Sequence, residues 1–507
     1  MDLANNLLLG LQVAMEPMTL AYCFFGVLLG TVVGVLPGIG ALAAISLLLP
    51  ITYHIEPTAA IIMLAGVYYG AQYGGSTAAI LLNLPGTPSS AVTCLDGYPM
   101  AQKGRAGLAL FITTIASLVG AMTGLVLLVL FSPAIAEIGL KFGPAEFFSM
   151  MVLGLVAASS MSIGSAAKGL AMVVLGLLLG MVGTDVNSGV SRFDFGIIEL
   201  TDGINLVALA MGLFGVAEVV RCINSPDMER KPEPVTMRSM VPSRAEFRES
   251  VAPMLRGSAL GSALGALPGV GPSIAAFMSY AIEKRVARDA RKFGKGAIAG
   301  ISAPESANNA AAQTAFVPSL SLGIPGDAVM AVMLGALIIH GIQPGPLLIS
   351  EQPALFWGLV VSFAIGNIML VILNLPTIGI WVALLRIPFA WMYPAILVFV
   401  ALGVYSVNSN EFDIYMVAVL GVMGYALMVL KFEPAPLLLG YILGPMLEEN
   451  LRRTMLLSRG DPMVFIERPI SASLLAVTAL MLVWTIWSTV RKSIAEKRKL
   501  DLAEAAA

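Results

Sequence analysis

The sequence predicts an all-α polytopic membrane protein. It is built from two inverted-topology repeats with broken helices or re-entrant hairpins, in roughly 10–14 membrane segments. Three observations predict this: a composition too apolar for water, a recurrence of long apolar segments, and a proline–glycine motif that occurs twice with its flanking charge reversed.

Of 507 residues, 58% are hydrophobic and 12% are charged, with a mean hydropathy of +0.87. Soluble domains carry about 25% charged residues. Half that share cannot clothe a water-soluble body of this size, whereas lipid solvates apolar side chains at no cost.

Long apolar segments lie at 18–35, 58–72, 106–131, 147–160, 166–182, 204–220, 355–373, 394–407, 412–430 and 474–490. A helix needs about 20 such residues to cross a hydrocarbon core about 30 Å thick. Four more runs, 41–49, 77–84, 272–282 and 328–339, are too short to span and lie beside Pro-Gly pairs. They read as half-helices or hairpins. Residues 1–17 contain no Lys or Arg. A cleaved secretory leader needs a basic start, so the first apolar stretch is expected to be retained.

Most of the 29 Lys and Arg fall in three stretches, 221–256, 284–295 and the tail after Trp487. Basic loops stay in the cytoplasm, which explains these runs without a nucleic-acid partner. The expected organisation is a first transmembrane half at 1–220, a cytoplasmic linker at 221–256, a second half at 257–470, and a last helix with a basic cytoplasmic tail at 471–507. Lys168 is then inside, and the N-terminus and the acidic loop 185–202 are outside.

The chain repeats itself. Gly30-x-x-x-Gly34-x-Leu36-Pro37-Gly38-Ile39-Gly40 returns as Gly261-x-x-x-Gly265-x-Leu267-Pro268-Gly269-Val270-Gly271, and Leu84-Pro85-Gly86 returns as Ile324-Pro325-Gly326. In the first copy the leading segment and the loop 52–57 lack basic residues, while Lys103 and Arg105 follow the second motif. In the second copy the leading segment and 284–295 are basic, and 341–352 is not. Under the positive-inside rule the copies point opposite ways through the bilayer. Inverted repeats are the plan of many secondary transporters, with the site at their interface near the midplane.

Proline ends a helix and glycine permits backbone angles closed to other residues. Unwound chain at membrane depth is tolerated only inside protein or beside a wet cavity. Pro37, Gly38, Gly40, Pro85, Pro268, Gly269, Gly271 and Pro325 are therefore read as hinge and loop positions. Helix restarts present free N–H groups and a positive dipole end to an anion. The polar residues beside the breaks are the expected carboxylate ligands: Asn83, Gly86, Thr87, Ser89 and Ser90 in the first copy, and Ser306, Asn308, Asn309 and Gly326 in the second. Ionisable groups in a membrane mark pathways or partners, so Glu305 and Asp327, with Gly75 and Ser76, are candidates to hold the coupling ion, Na⁺ or H⁺.

Plainer roles compete at several of these positions. The Gly-x-x-x-Gly pairs suit close helix packing, and Asp327 suits an N-cap. Asp96 and His340 read as membrane-edge residues, and the 28 methionines as core filler. Cys23, Cys94 and Cys222 form no CxxC pair, and His54 and His340 make no metal-ligand spacing. No metal site or cofactor is expected. No His–carboxylate dyad or nucleophile elbow occurs, so no catalytic residue is assigned and the chain reads as not an enzyme. The alternatives are an intramembrane enzyme on a lipid-linked substrate, with Glu305 or Asp327 as acid or base, and a passive anion channel.

Four stretches carry a family resemblance. Gly-Ala-Leu-Pro-Gly-Val-Gly-Pro-Ser from 265, Ser-Tyr-Ala-Ile-Glu-Lys-Arg from 279, Ala-Pro-Glu-Ser-Ala-Asn-Asn-Ala from 303 and Leu-Gly-Ile-Pro-Gly from 322 resemble the large membrane subunit (TctA-type permease) of the tripartite tricarboxylate transporters. Leu-Pro-Gly-Ile-Gly from 36 and Leu-Pro-Gly-Thr-Pro from 84 match its first half. The resemblance implies an importer of small tri- or dicarboxylates in the bacterial inner membrane. It implies symport driven by an ion gradient, and the absence of a Walker A loop here agrees with that. Its implied partners are a small membrane subunit (TctB type) and a periplasmic solute-binding protein (TctC type). Where the family commonly has a small hydroxyl residue after Gly-Ile-Pro-Gly, this chain has Asp327, which favours a cation role over direct anion contact.

Overall fold

A computed structural model describes residues 3–36, 40–139, 141–160, 166–185, 188–223, 235, 237–267, 270–385, 392–484 and 487. The hinge positions Pro37, Gly38, Pro268 and Gly269 lie outside the described residues. The first stretch of chain forms α1 (Leu3–Ala14), α2 (Pro17–Val35), α3 (Gly40–Thr52), α4 (Pro57–Leu82), α5 (Cys94–Gln102) and α6 (Ala106–Gly139). Next come α7 (Pro144–Ser160), α8 (Ala166–Gly180), α9 (Leu206–Ala210) and α10 (Ala217–Ile223). The second motif copy lies in α11 (Arg244–Gly265), α12 (Gly271–Val286), α13 (Ala299–Thr314), α14 (Phe316–Leu322) and α15 (Ala328–Ile339). The chain then runs through α16 (Leu348–Glu351), α17 (Pro353–Asn374), α18 (Ile378–Leu384), α19 (Met392–Asn408), α20 (Glu411–Val429), α21 (Ala435–Leu457) and α22 (Val464–Glu467).

The protein is thus an all-α polytopic membrane protein. Among the described residues, four helices are long and apolar enough to cross a bilayer: Pro17–Val35, Ala106–Ala134, Pro353–Asn374 and Glu411–Val429. Shorter apolar helices accompany them, among them α3, α15 and Pro469–Trp484. Large apolar side chains stand exposed on α19 and α20, Phe399, Leu402, Val419 and Val422 among them, as lipid-facing surfaces require.

The contacts divide the chain into two compact units, and each draws on both sequence halves. The first comprises Met1–Leu140 and Asn205–Tyr425. Its centre is the pair α4 and α13, one from each copy. α4 is buried along nearly its whole length, from Ala59 to Leu82, and α13 from Gly300 to Thr314. Neither faces lipid, which is why both tolerate Tyr, Gln, Asn and Glu.

Each core helix is gripped by a glycine-striped neighbour. A Cβ on Gly26, Gly30 or Gly34 of α2 would stand 2.2–2.4 Å from the carbonyl oxygens of Met63, Val67 and Ala71 in α4. On α11, Gly257, Gly261 and Gly265 meet Ala303, Ala307 and Ala311 of α13 just as tightly, at 2.2–2.4 Å. Only a bare backbone permits that approach, so these glycines serve packing. The pairing is then reciprocal. The long helix after copy one, α6, packs on α11 and α13, and α17, after copy two, packs on α2 and α4.

The breaks also correspond. α4 ends at Asn83 with φ 60° and α14 ends at Gly323 with φ 70°, while α3 and α12 open on Gly40 and Gly271 with φ 68° and 64°. One expected break is absent: 77–84 is no half-helix, because α4 runs unbroken to Leu82. Gly74 and Gly75 weaken a helix by about 1 kcal/mol each, but here they admit neighbours. A Cβ on Gly74 would lie 2.4 Å from Thr31 O and one on Gly75 2.9 Å from Thr87 Oγ1.

The stretch read as linker is helical from Arg244, where Ser243 and Glu246 form a reciprocal capping box. The apolar run 204–220 is divided by a π-helical turn at Met211–Val216.

The second unit comprises Lys141–Ile204 and Ala426–Ala507. α21 packs on α7 and α8, with Gly176 and Gly440 allowing backbone contact against Leu437 and Val173. A short hairpin pairs Gly183–Thr184 with Ser191–Arg192. A ring of ion pairs fixes it. Arg192 holds Asp185 at 2.7 Å and Glu448 at 3.0 Å, and Arg452 holds the same two at 3.1 and 2.6 Å.

Candidate functional site

Two polar clusters lie where the copies meet in the first unit. The first surrounds the break after α4. Thr87 and Ser90 form a capping box on the 3₁₀ turn Pro88–Ala91, with Thr87 N donating to Ser90 Oγ at 3.2 Å. Gln72, reaching from α4, accepts from Ser89 Oγ at 2.8 Å and from Thr87 Oγ1 at 3.4 Å. Gly86 lies so close to α2 that a Cβ would sit 1.9 Å from Gly34 O. The loop is therefore pinned between α2 and α4, with Thr87, Ser89 and Ser90 buried. Asn83 and Pro85 are exposed, and Asn83 serves as the left-handed cap of α4. In the second copy Gly326 N donates to Ser319 Oγ at 3.4 Å, and Gly326 sits against Ala315, as Gly86 sits against Gly75.

The second cluster lines α13. Glu305 is 1% exposed. Its Oε1 accepts from Thr93 Oγ1, of the other copy, at 2.5 Å, and Ser76, Asn308 and Ser117 stand around the same carboxylate. Asn309 donates to Ser117 Oγ at 2.8 Å and to Glu305 O at 3.0 Å. Ser306 turns away: its hydroxyl returns to Ala303 O at 3.0 Å, at the contact with Gly257.

Asp327 differs in kind. Oδ1 accepts Met330 N at 2.8 Å as the N-cap of α15, and Oδ2 accepts the Tyr68 hydroxyl of α4 at 2.5 Å. Both oxygens serve the fold. Asp96 is fully buried and accepts Gly296 N, Ala297 N and the Tyr280 hydroxyl at 2.7–2.9 Å.

Several polar atoms in this region are buried with no hydrogen-bond partner among the described residues. They are Glu305 Oε2, both amide atoms of Asn308 and of Gln313, the Tyr69 hydroxyl and Ser321 Oγ. Each such group costs about 1–3 kcal/mol, and they concentrate along α4, α13 and α14. The other buried carboxylates are provided for. Glu146 pairs with Arg468, Asp185 with two arginines, Glu283 with Arg256, and Asp413 accepts from Asn408 and Asn205.

Sequence reasoning missed Tyr68, Tyr69, Gln72, Thr93, Ser117 and Gln313. The one available signal was polar residues at helical spacing in an otherwise apolar run, Gln72 and Ser76 on α4.

The fold and the site together define a polytopic membrane protein whose copies enclose unpaired carboxyl, amide and hydroxyl groups. Residues 20–439 match the tripartite tricarboxylate transporter TctA family, and the chain belongs to that family, a family of transporters. It is 52% identical, over 97% of its length and 98% of the relative's, to the "Uncharacterized 52.8 kDa protein in TAR-I ttuC' 3'region" of Agrobacterium vitis. A second protein of that organism, the "Uncharacterized protein in TAR-II ttuC' 3'region", is 53% identical over 46% of this chain and 96% of its own. No solved structure matches the chain.

Proposed function

We propose that this chain is the permease subunit of a binding-protein-dependent tripartite system in the bacterial inner membrane. It carries small tri- or dicarboxylates inward by symport with Na⁺ or H⁺, its two copies inverted, its basic loops and C-terminus cytoplasmic. A small membrane subunit and a periplasmic solute-binding protein complete the system. Family membership supports the transport class. The observation that carries the site is Glu305: a buried carboxylate held by Thr93 of the other copy, with one oxygen and the neighbouring Asn308 amide unpartnered.

In this reading Glu305, with Ser76 and Thr93, takes the cation. The amides of Asn308 and Asn309 and the hydroxyls at Thr87, Ser89 and Ser90 provide the carboxylate ligands. Gly40, Gly271 and the Pro85-Gly86 and Pro325-Gly326 breaks flank the parts that move. Alternating access follows when two such halves rock or slide about a fixed site.

The test is uptake of radiolabelled citrate and C4 dicarboxylates into membrane vesicles at limiting Na⁺ or H⁺. Glu305→Gln, Asn308→Ala and Ser89→Ala are each expected to lose at least tenfold in initial rate. Normal transport by all three variants removes the site from consideration.

A further inference from the structure

The charges at this site do not balance, and their deficit has a direction. Among the described residues no Lys, Arg or His is buried. Around Glu305 the buried groups left without partners are uncharged: the amides of Asn308 and Gln313 and the hydroxyls of Tyr69 and Ser321; His340 Nε2, also unpartnered, stands apart at the C-terminal end of α15, beside Tyr53. Gln313 is fully buried, and Tyr69 beside it is walled by the rings of Phe316 and Phe363 at 6.1 and 5.1 Å. Neutral donors of this kind can recognise a carboxylate's oxygens. They cannot cancel its charge. Even two helix N-termini contribute only about one elementary charge, less than the three or more that a di- or tricarboxylate carries together with Glu305.

Unpaired charge in so buried a region costs several kcal/mol per ion even after relaxation. A di- or tricarboxylate beside Glu305 is therefore admitted only with mobile positive charge. A loaded site of zero net charge needs one cation for each charge on the substrate, and one more for Glu305. On the return step the emptied Glu305 goes back negative, or crosses nothing.

Resting on the transport reading above, we propose that the substrate's charge is compensated by co-bound monovalent cations outnumbering its own charges by one. Glu305 sets the excess, no basic side chain among the described residues takes part, and each turnover carries one net positive charge inward. Asp327 contributes no cation site of its own, since both of its oxygens are engaged by Met330 N and Tyr68.

The experiment uses right-side-out vesicles from cells expressing the intact transport system, with a potassium diffusion potential imposed by valinomycin. Uptake of radiolabelled citrate and succinate is followed in Na⁺ buffer and in Na⁺-free choline buffer, which tells Na⁺ from H⁺ as the cation. With one net positive charge per turnover, an interior about 100 mV negative raises the accumulation ratio roughly fifty-fold. Citrate and succinate give the same potential dependence, because the excess is fixed by the protein. In Glu305→Gln the potential dependence disappears. Wild-type uptake that ignores the potential, or is slowed by a negative interior, overturns the inference and leaves the transport reading standing; that arm decides whether or not the variant transports. A Glu305→Gln variant that keeps the full potential dependence overturns it too. Absence of any carboxylate uptake sinks the transport reading and this inference with it.

Discussion

Asp327 is the residue on which a structural and a transport role can be separated most cleanly. Its carboxylate caps α15 through Met330 N and accepts the Tyr68 hydroxyl across the copy boundary. Asp327→Ala removes both. A lost cap costs about 1 kcal/mol, and a buried tyrosine hydroxyl left without an acceptor costs about 1–3 kcal/mol more. Asp327→Asn keeps a cap of nearly equal quality and presents an amide that Tyr68 can still meet, so its expected cost is below about 1 kcal/mol. Tyr68→Phe isolates the other half of the contact, and the double variant gives the coupling between the two. The assay pairs thermal unfolding of the purified chain in lipid nanodiscs with the cation concentration giving half-maximal uptake in vesicles. Asp327→Ala is expected to unfold clearly earlier, while Asp327→Asn stays near wild type on both readouts. An Asp327→Asn variant that unfolds normally yet needs tenfold more cation refutes the reasoning, because Asp327 is then a cation ligand.

Three further outcomes follow from the packing and the surface. Gly30→Ala and Gly261→Ala each place a methyl about a full ångström inside van der Waals contact with a facing carbonyl, and overpacking of that kind costs about 1–3 kcal/mol. Gly40→Ala meets open space and only a left-handed φ of 68°, so the unfolding midpoints should rank it above the other two, and equal midpoints for all three refute the packing role of the glycine stripes. Gln313→Leu replaces a buried amide that has no partner by an apolar group of similar size. Stability should hold or rise by about 1 kcal/mol while uptake falls, and uptake equal to wild type would show Gln313 to be idle. At the N-terminal end of α11, the Ser243 hydroxyl and N–H, aided by Arg105, hold the Glu246 carboxyl below its usual range. Its contribution is present above the unfolded glutamate value of about 4.3 and fades as pH falls through the lower folded value. Glu246→Gln should flatten the acid limb of the unfolding profile, and an unchanged limb removes that cap from the account.

The sequence exposed the skeleton of the site but little of its lining. The paired Leu-Pro-Gly and Ile-Pro-Gly motifs fall at real breaks, because proline and glycine act locally and announce themselves without tertiary context. Gly74-Gly75 shows the limit of that logic. The same residues that weaken an isolated helix are retained where a neighbouring backbone must pass, and only the fold says which holds. Glu305 and Asn308 stood out as polar letters in an apolar stretch. Tyr68, Gln72 and Gln313 did not, since a single tyrosine or glutamine in such a run equally suits a membrane interface. Their roles depend on which helix faces them. α21 was passed over for a similar reason: its second half, Glu448-Glu449-Asn450-Leu451-Arg452-Arg453, lowers the hydropathy of a helix whose charges are spent on ion pairs.

The reciprocal packing of α6 on copy two and of α17 on copy one has a consequence for how the chain is made. A chain holding only the first copy lacks the partners that Tyr68, Tyr73 and Ser117 meet in Asp327, Asn367 and Asn309. Neither half completes its interior alone. Two separately translated halves should yield a working protein only when both are present in the same membrane.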